Sequence, residues 1–143
     1  MKSVATLFEQ ASKTRLHAYA PYSKFSVGAC LETATGELFS ACNVENASYG
    51  LCVCAESSAI AAMVAAGSNK EIKQIMVVVS GPGVSAPCGG CRQRLNEFAK
   101  PEAIIHLCDL EGAHETYSLG ELLPHAFGPE DVFPSLNKEP VKQ

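Results

Sequence analysis

A chain of 143 residues and 15.1 kDa fits one domain with a real core and is too short for two comfortable ones. Hydrophobic residues make up 47% and charged residues 18%, a globular composition slightly apolar for its size, so part of the excess is expected in a subunit interface. Net charge is −4 with no Lys/Arg stripe, no apolar run nears the roughly 20 residues of a membrane span, and the amphipathic start carries a glutamate, so the expectations are a small neutral substrate, no nucleic acid, no membrane and a cytoplasmic location.

The first predicted element is a helix. Val4, Leu7, Phe8 and Ala11, continued by Arg15, Ala18 and Tyr19, fall at helical spacing, and Ala20-Pro21 closes it. FSVGACLETATGELFSACNV then reads as an antiparallel hairpin, two β-prone runs around a bend supplied by Gly36. The loop NVENASYGLCV leads into Ala55 to Ala66, strong helix formers with Gly67 as a stop. IKQIMVVVS is uniformly apolar and β-branched enough for a strand buried on both faces.

After the loop GPGVSAP, CGGCRQRLNEFA begins another helix and EAIIHLCD is a second buried strand. EGAHETYS continues as a hairpin, Ser118 is placed to cap the short helix LGELL, and Pro124 ends it. The remainder is rich in proline and charge, with residues 130–143 expected as a surface tail of a single domain spanning 1–143. Helices alternating with strands in this order argue for an α/β sandwich, with helices on both faces of one mixed sheet.

Seven cysteines, an odd number, read as thiols and metal ligands rather than a disulfide framework, which suits a reducing compartment. Cys88 and Cys91 form PCGGC at the start of one helix, and Cys54 stands at the start of the alanine-rich one. Two facing helix N-termini would gather three sulfurs, and their free N–H groups favour thiolates, the form that binds Zn²⁺. Three thiolates leave a tetrahedral Zn²⁺ one open position for water, within reach of Glu56 in the first turn.

Other readings stand beside this one. A lone Cys-x-x-Cys serves as a redox pair or as half of a structural zinc site, and Glu56 alone is a first-turn carboxylate. A closed site using Cys52 as well would leave Glu56 without a task. Cys30, Cys42 and Cys108 are expected as small buried apolar groups, and Cys52 as a packed neighbour. His17, His106, His114 and His125 are scattered without ligand spacing, and none is a candidate for the metal.

YAPYSKFSVGA, CNVENASYGL, PCGGCRQ and GELLPHAFGP, with Cys54-Ala55-Glu56, together resemble the cytidine deaminase family, over Tyr19 to Pro129. The resemblance implies a three-layer α/β/α sandwich around a mixed five-stranded sheet, and hydrolysis of cytidine and 2′-deoxycytidine to the uridines and ammonia. With Cys as first ligand it implies a homotetramer with one Zn²⁺ per subunit and active sites at subunit interfaces. Cys54, Cys88 and Cys91 would hold the zinc and Glu56 would shuttle protons.

By the same resemblance Asn43 and Glu45 would grip the ribose 3′-hydroxyl, Phe25 would pack on the base, and the N–H groups of Ala55 and Glu56 would meet its O2. Tyr49 and Phe127 would come from neighbouring subunits. Members of the family often carry Arg after Cys-Ala-Glu, offsetting the thiolate charge, where this chain has Ser57. Two rival functions are a deaminase of another aminopyrimidine nucleoside or of nucleic-acid bases, and a non-catalytic zinc-binding interaction module.

Overall fold

The structure is a computed structural model and describes residues 1–133. In chain order the elements are α1 (Val4–Arg15), β1 (Val27–Thr33), β2 (Leu38–Cys42), a single 3-10 turn (Tyr49–Leu51), α2 (Ala55–Ala65), β3 (Ile72–Val79), α3 (Gly89–Phe98), β4 (Ala99–Cys108), β5 (His114–Ser118), α4 (Leu119–Leu122) and α5 (Pro129–Val132). One five-stranded sheet runs β2-β1-β3-β4-β5. Only the β3–β4 pair is parallel, and β1–β2, β1–β3 and β4–β5 are antiparallel.

Strand alternation divides the core between the two faces. Ala29, Leu31, Ile75, Val77, Val79, Ile105 and Leu107 point to the side where α2, α3 and α4 supply Ala59, Met63, Leu95 and Leu119. Cys30, Met76, Val78 and Cys108 point the other way, where α1 supplies Leu7 and Ala11. Both faces of β3 are therefore covered, which is why its sequence is uniformly apolar. The expected three-layer sandwich around a mixed sheet is the observed fold.

Local chemistry sets most boundaries. Ser3 caps α1 by accepting from the Thr6 N–H at 3.1 Å, Gly36 turns the β1–β2 hairpin at φ 82°, and Ser118 and Glu121 form a capping box at α4. Gly28 lets α1 approach the sheet, because a Cβ there would lie 2.0 Å from the Ala11 carbonyl oxygen.

Two boundaries differ from the sequence expectation. Helix α1 stops at Arg15 rather than running through Tyr19, because Tyr19 is drawn into a bridge with Val44, accepting from the Glu45 N–H at 2.8 Å. Ala99 is extended, with φ −127° and ψ 144°, so α3 passes directly into β4 before Lys100-Pro101. Of the expected tail, Glu130 to Val132 continue α5 from Pro129, while residues 134–143 lie outside the described residues.

Candidate metal centre and adjoining cleft

Cys54 and Cys88 hold matching positions. Each is the extended residue directly before a helix, at φ −72° and ψ 154° for α2 and φ −62° and ψ 163° for α3. Their carbonyls accept the first intrahelical bonds, from the N–H groups of Ser58 and Arg92, while their side chains make no capping bond. Cys91, in the first turn of α3, is fully buried. The three Sγ atoms lie within 4.8 Å of one another, with Cys54 and Cys88 3.9 Å apart.

The electrostatics of this cluster call for a cation. Hydrogen bonding from the Cys91 thiol holds the Cys54 thiol below its usual range, against burial and the charges of Glu56 and Cys88. The same bond, with burial and Glu56 adding to it, drives Cys91 far above its usual range. Two converging helix N-termini favour anionic sulfur, and a divalent ion of zinc type lets all three ionise, so the donor set fits Zn²⁺.

Glu56 is only 4% exposed. Burial pushes its carboxyl above the ordinary range, while its own N–H and the Cys91 thiol pull the other way. A carboxyl of this kind holds a proton more readily than a surface glutamate and sits where it can return one. The four residues expected to form the chemical centre are therefore brought together.

Neighbours of the sulfurs carry two details not expected from sequence. The Ser57 hydroxyl lies 3.5 Å from Cys91 Sγ, so this position contributes a polar contact to the cluster. Arg92, next to Cys91, donates from Nε to the Pro87 carbonyl at 2.8 Å and from Nη1 to the Leu122 carbonyl at 2.9 Å. Its guanidinium ties the PCGGC loop to α4. Cys52 is exposed rather than packed away, with its sulfur on the backbone of Asn46, outside the three-sulfur cluster.

A backbone bridge between Val44 and Val53 sets the NVEN segment beside the approach to Cys54. Glu45 Oε1 accepts from the N–H groups of Tyr22 and Ser23 at 2.9 and 3.1 Å, and the Ser23 hydroxyl foremost holds its carboxyl below the usual range. Tyr22, Ser23, Glu45, Tyr49 and Cys52 line a cleft of about 300 Å³. Tyr22 and Ser23 were not expected there, because a backbone N–H carries no side-chain signature.

Asn43 accepts from the Val27 N–H at 2.8 Å and donates to the Phe25 carbonyl at 2.8 Å, which ties the start of β1 to the loop and places Phe25. Phe25, Tyr49 and Phe127 are 40%, 74% and 61% exposed, with Tyr49 edge-on to Tyr22. Phe127 is fixed to α3 through its carbonyl, which accepts from Gln93 and Asn96.

The family profile described as cytidine and deoxycytidylate deaminase zinc-binding region matches residues 1–107. A cytidine deaminase of Sporosarcina psychrophila is 39% identical over 129 residues, 90% of this chain and 94% of that protein. A cytidine deaminase of Mycobacterium tuberculosis is 39% identical over 123 residues, 85% of this chain and 87% of that protein. The crystal structure of cytidine deaminase from Burkholderia pseudomallei superposes with a TM-score of 0.84 at 47% identity, covering 88% of this chain and all of that one.

Proposed function

This chain belongs to the cytidine deaminase family, and from that premise we propose that it hydrolyses cytidine and 2′-deoxycytidine to uridine and 2′-deoxyuridine with release of ammonia. The observation that carries the reading is the meeting of Cys54, Cys88 and Cys91 within 4.8 Å beside the buried carboxyl of Glu56. These three sulfurs would hold one zinc ion, which supplies an acidified water and Lewis-acid charge. The raised carboxyl of Glu56 suits the proton work: it accepts from the attacking water, donates to N3 of the base and passes a proton to the departing amine.

The remaining roles rest on placement. Glu45 lines the cleft with Oε1 held by the N–H groups of Tyr22 and Ser23, a positioned acceptor for a ribose hydroxyl. Asn43 keeps a second amide N–H beyond its bond to Phe25 for the same hydroxyl, so a nucleoside lacking it would leave these half-buried polar groups unpaired. Phe25 offers the base a flat face, and the Ala55 and Glu56 N–H groups, which have no intrahelical acceptor at the start of α2, suit its O2.

Tyr49 and Phe127 are read as serving the sites of neighbouring subunits in a homotetramer. The apolar residues left in solvent, among them Leu51, Val53, Tyr49 and Phe127, support an interface there. The chain is read as one domain from 1 to 143, placed in the cytoplasm for pyrimidine salvage, where its seven free cysteines would stay reduced. Among the described residues, no helix is long and apolar enough to cross a membrane.

The test is absorbance-monitored turnover of cytidine, 2′-deoxycytidine and a single-stranded oligonucleotide by zinc-loaded protein, with the metal quantified. Turnover of the nucleosides alone at one zinc per chain is expected. Turnover of the oligonucleotide alone, or of none of the three, would overturn the reading. A mass by light scattering that stays at one chain would remove the tetramer and the roles of Tyr49 and Phe127 across subunits.

A further inference from the structure

Glu32, Gln74 and His106 are polar residues buried to 3%, 2% and 5% exposure on the face of the sheet that carries α1, opposite the face covered by α2 and α3. Nothing in the deamination chemistry uses them. They form a ladder across three strands, β1, β3 and β4, and β5 extends it with Thr116 opposite His106 and His114 opposite Cys108.

The hydrogen bonds along this ladder fix its protons. The Glu32 carboxylate accepts from the Lys2 N–H at 2.9 Å to each oxygen. Gln74 Nε2 lies 3.0 Å from the Lys2 carbonyl and 2.5 Å from Glu32 Oε2; both are acceptors, so the NH₂ group must face them. Gln74 Oε1 is then the atom 3.0 Å from His106 Nε2, and an amide oxygen there requires Nε2 to carry the hydrogen. His106 Nδ1 is left with its lone pair, aimed at the edge strand.

That lone pair meets a second imidazole. His106 Nδ1 and His114 Nε2 are 3.3 Å apart, and Thr116 Oγ1 lies 3.4 and 3.2 Å from them. Two nitrogens each about 2.0–2.1 Å from a tetrahedral ion stand about 3.3 Å apart. A ligating histidine ordinarily donates its other ring N–H to an oxygen acceptor that fixes tautomer and orientation, which is what Gln74 supplies. Burial and the neighbouring His114 disfavour the charged form of His106, so it remains available as a neutral donor.

We infer that His106 Nδ1 and His114 Nε2, with the Thr116 hydroxyl beside them, form a second site for a divalent transition ion of zinc type, separate from the three-cysteine centre and acting as a clip between β4 and edge strand β5. His114 is exposed, so the ion enters from solvent and completes its coordination with water. Gln74 is a positioning residue, and the ladder behind it extends to the backbone of Lys2.

The test uses protein already carrying one equivalent of zinc, titrated with ZnCl₂ by calorimetry and followed in parallel by its melting temperature. A second equivalent with a raised melting temperature is expected. Because His114 is exposed, His114→Ala should keep the fold, the first zinc and cytidine turnover while losing both effects. Gln74→Met should weaken the second equivalent about 10–100-fold. Stoichiometry that stays at one in the wild type overturns the site, as does a second equivalent that survives His114→Ala, which would place it on another donor such as Cys52.

Discussion

At the scale of single residues the chemical centre makes opposite demands on neighbouring atoms. The Cys54 thiol is held below its usual range and the Cys91 thiol above its own, while burial raises the Glu56 carboxyl. Replacing that carboxyl by an amide of the same shape removes the proposed proton carrier and leaves all three sulfurs in place. Glu56→Gln should therefore lower cytidine turnover by about 10²–10⁴-fold, with zinc content and melting temperature unchanged; near-normal turnover would move the proton work elsewhere. Ser57 acts on the sulfurs rather than on substrate, through its 3.5 Å contact to Cys91. Ser57→Ala should weaken zinc by about 10–100-fold in competition with a chelator. The convergence of the three cysteines and Glu56 was legible because helix starts are written locally, in Cys-Ala-Glu and Cys-Gly-Gly-Cys. The anchoring of Arg92 was not, since its partners are carbonyls of Pro87 and Leu122, which no side-chain pattern announces.

At the scale of elements, type followed from periodicity and boundaries followed from contacts made far away in the chain. The apolar run of β3 required two covered faces and has them. The end of α1 depended on Tyr19 finding Val44, and the histidine pair depended on β4–β5 register; neither appears in residue spacing within one segment. Close approach is a further case, because Gly28 lies in a β-prone run where its lack of a side chain matters only once α1 rests on it. Gly28→Ala would set a Cβ 2.0 Å from the Ala11 carbonyl oxygen and 2.8 Å from Arg15 Cβ, pushing the helix off β1. Overpacking of this kind costs about 1–3 kcal/mol, to be read as a lower urea midpoint at unchanged m-value. Ser118→Ala removes the capping box of α4 and should cost about 1 kcal/mol in the same measurement.

Across the whole molecule, carboxylates fasten loops to the sheet, and this gives stability a direction in pH. Asp109, at the end of β4, accepts from the N–H groups of Gly83, Glu111 and Ala113 at 2.8, 2.9 and 2.8 Å, which ties the loop before the PCGGC helix to the strand. Burial works to raise its carboxyl, and the Gly83, Ala113, Glu111 and Gly112 N–H groups outweigh it and hold it below the ordinary range. Glu45 and Glu121 are likewise held low, by Ser23 and by Ser118. A folded value below the unfolded one contributes stability that is complete above the unfolded pKa and is lost as pH falls through the folded one. His106, buried and lowered, adds loss in the same direction from below about 6.5, and Glu56, raised, opposes it. Asp109→Asn should therefore be less stable than the wild type near neutrality, and the gap in urea midpoint should close as pH falls below about 3.9. A gap that stayed constant to pH 3 would mean that the Asp109 bonds do not depend on its charge.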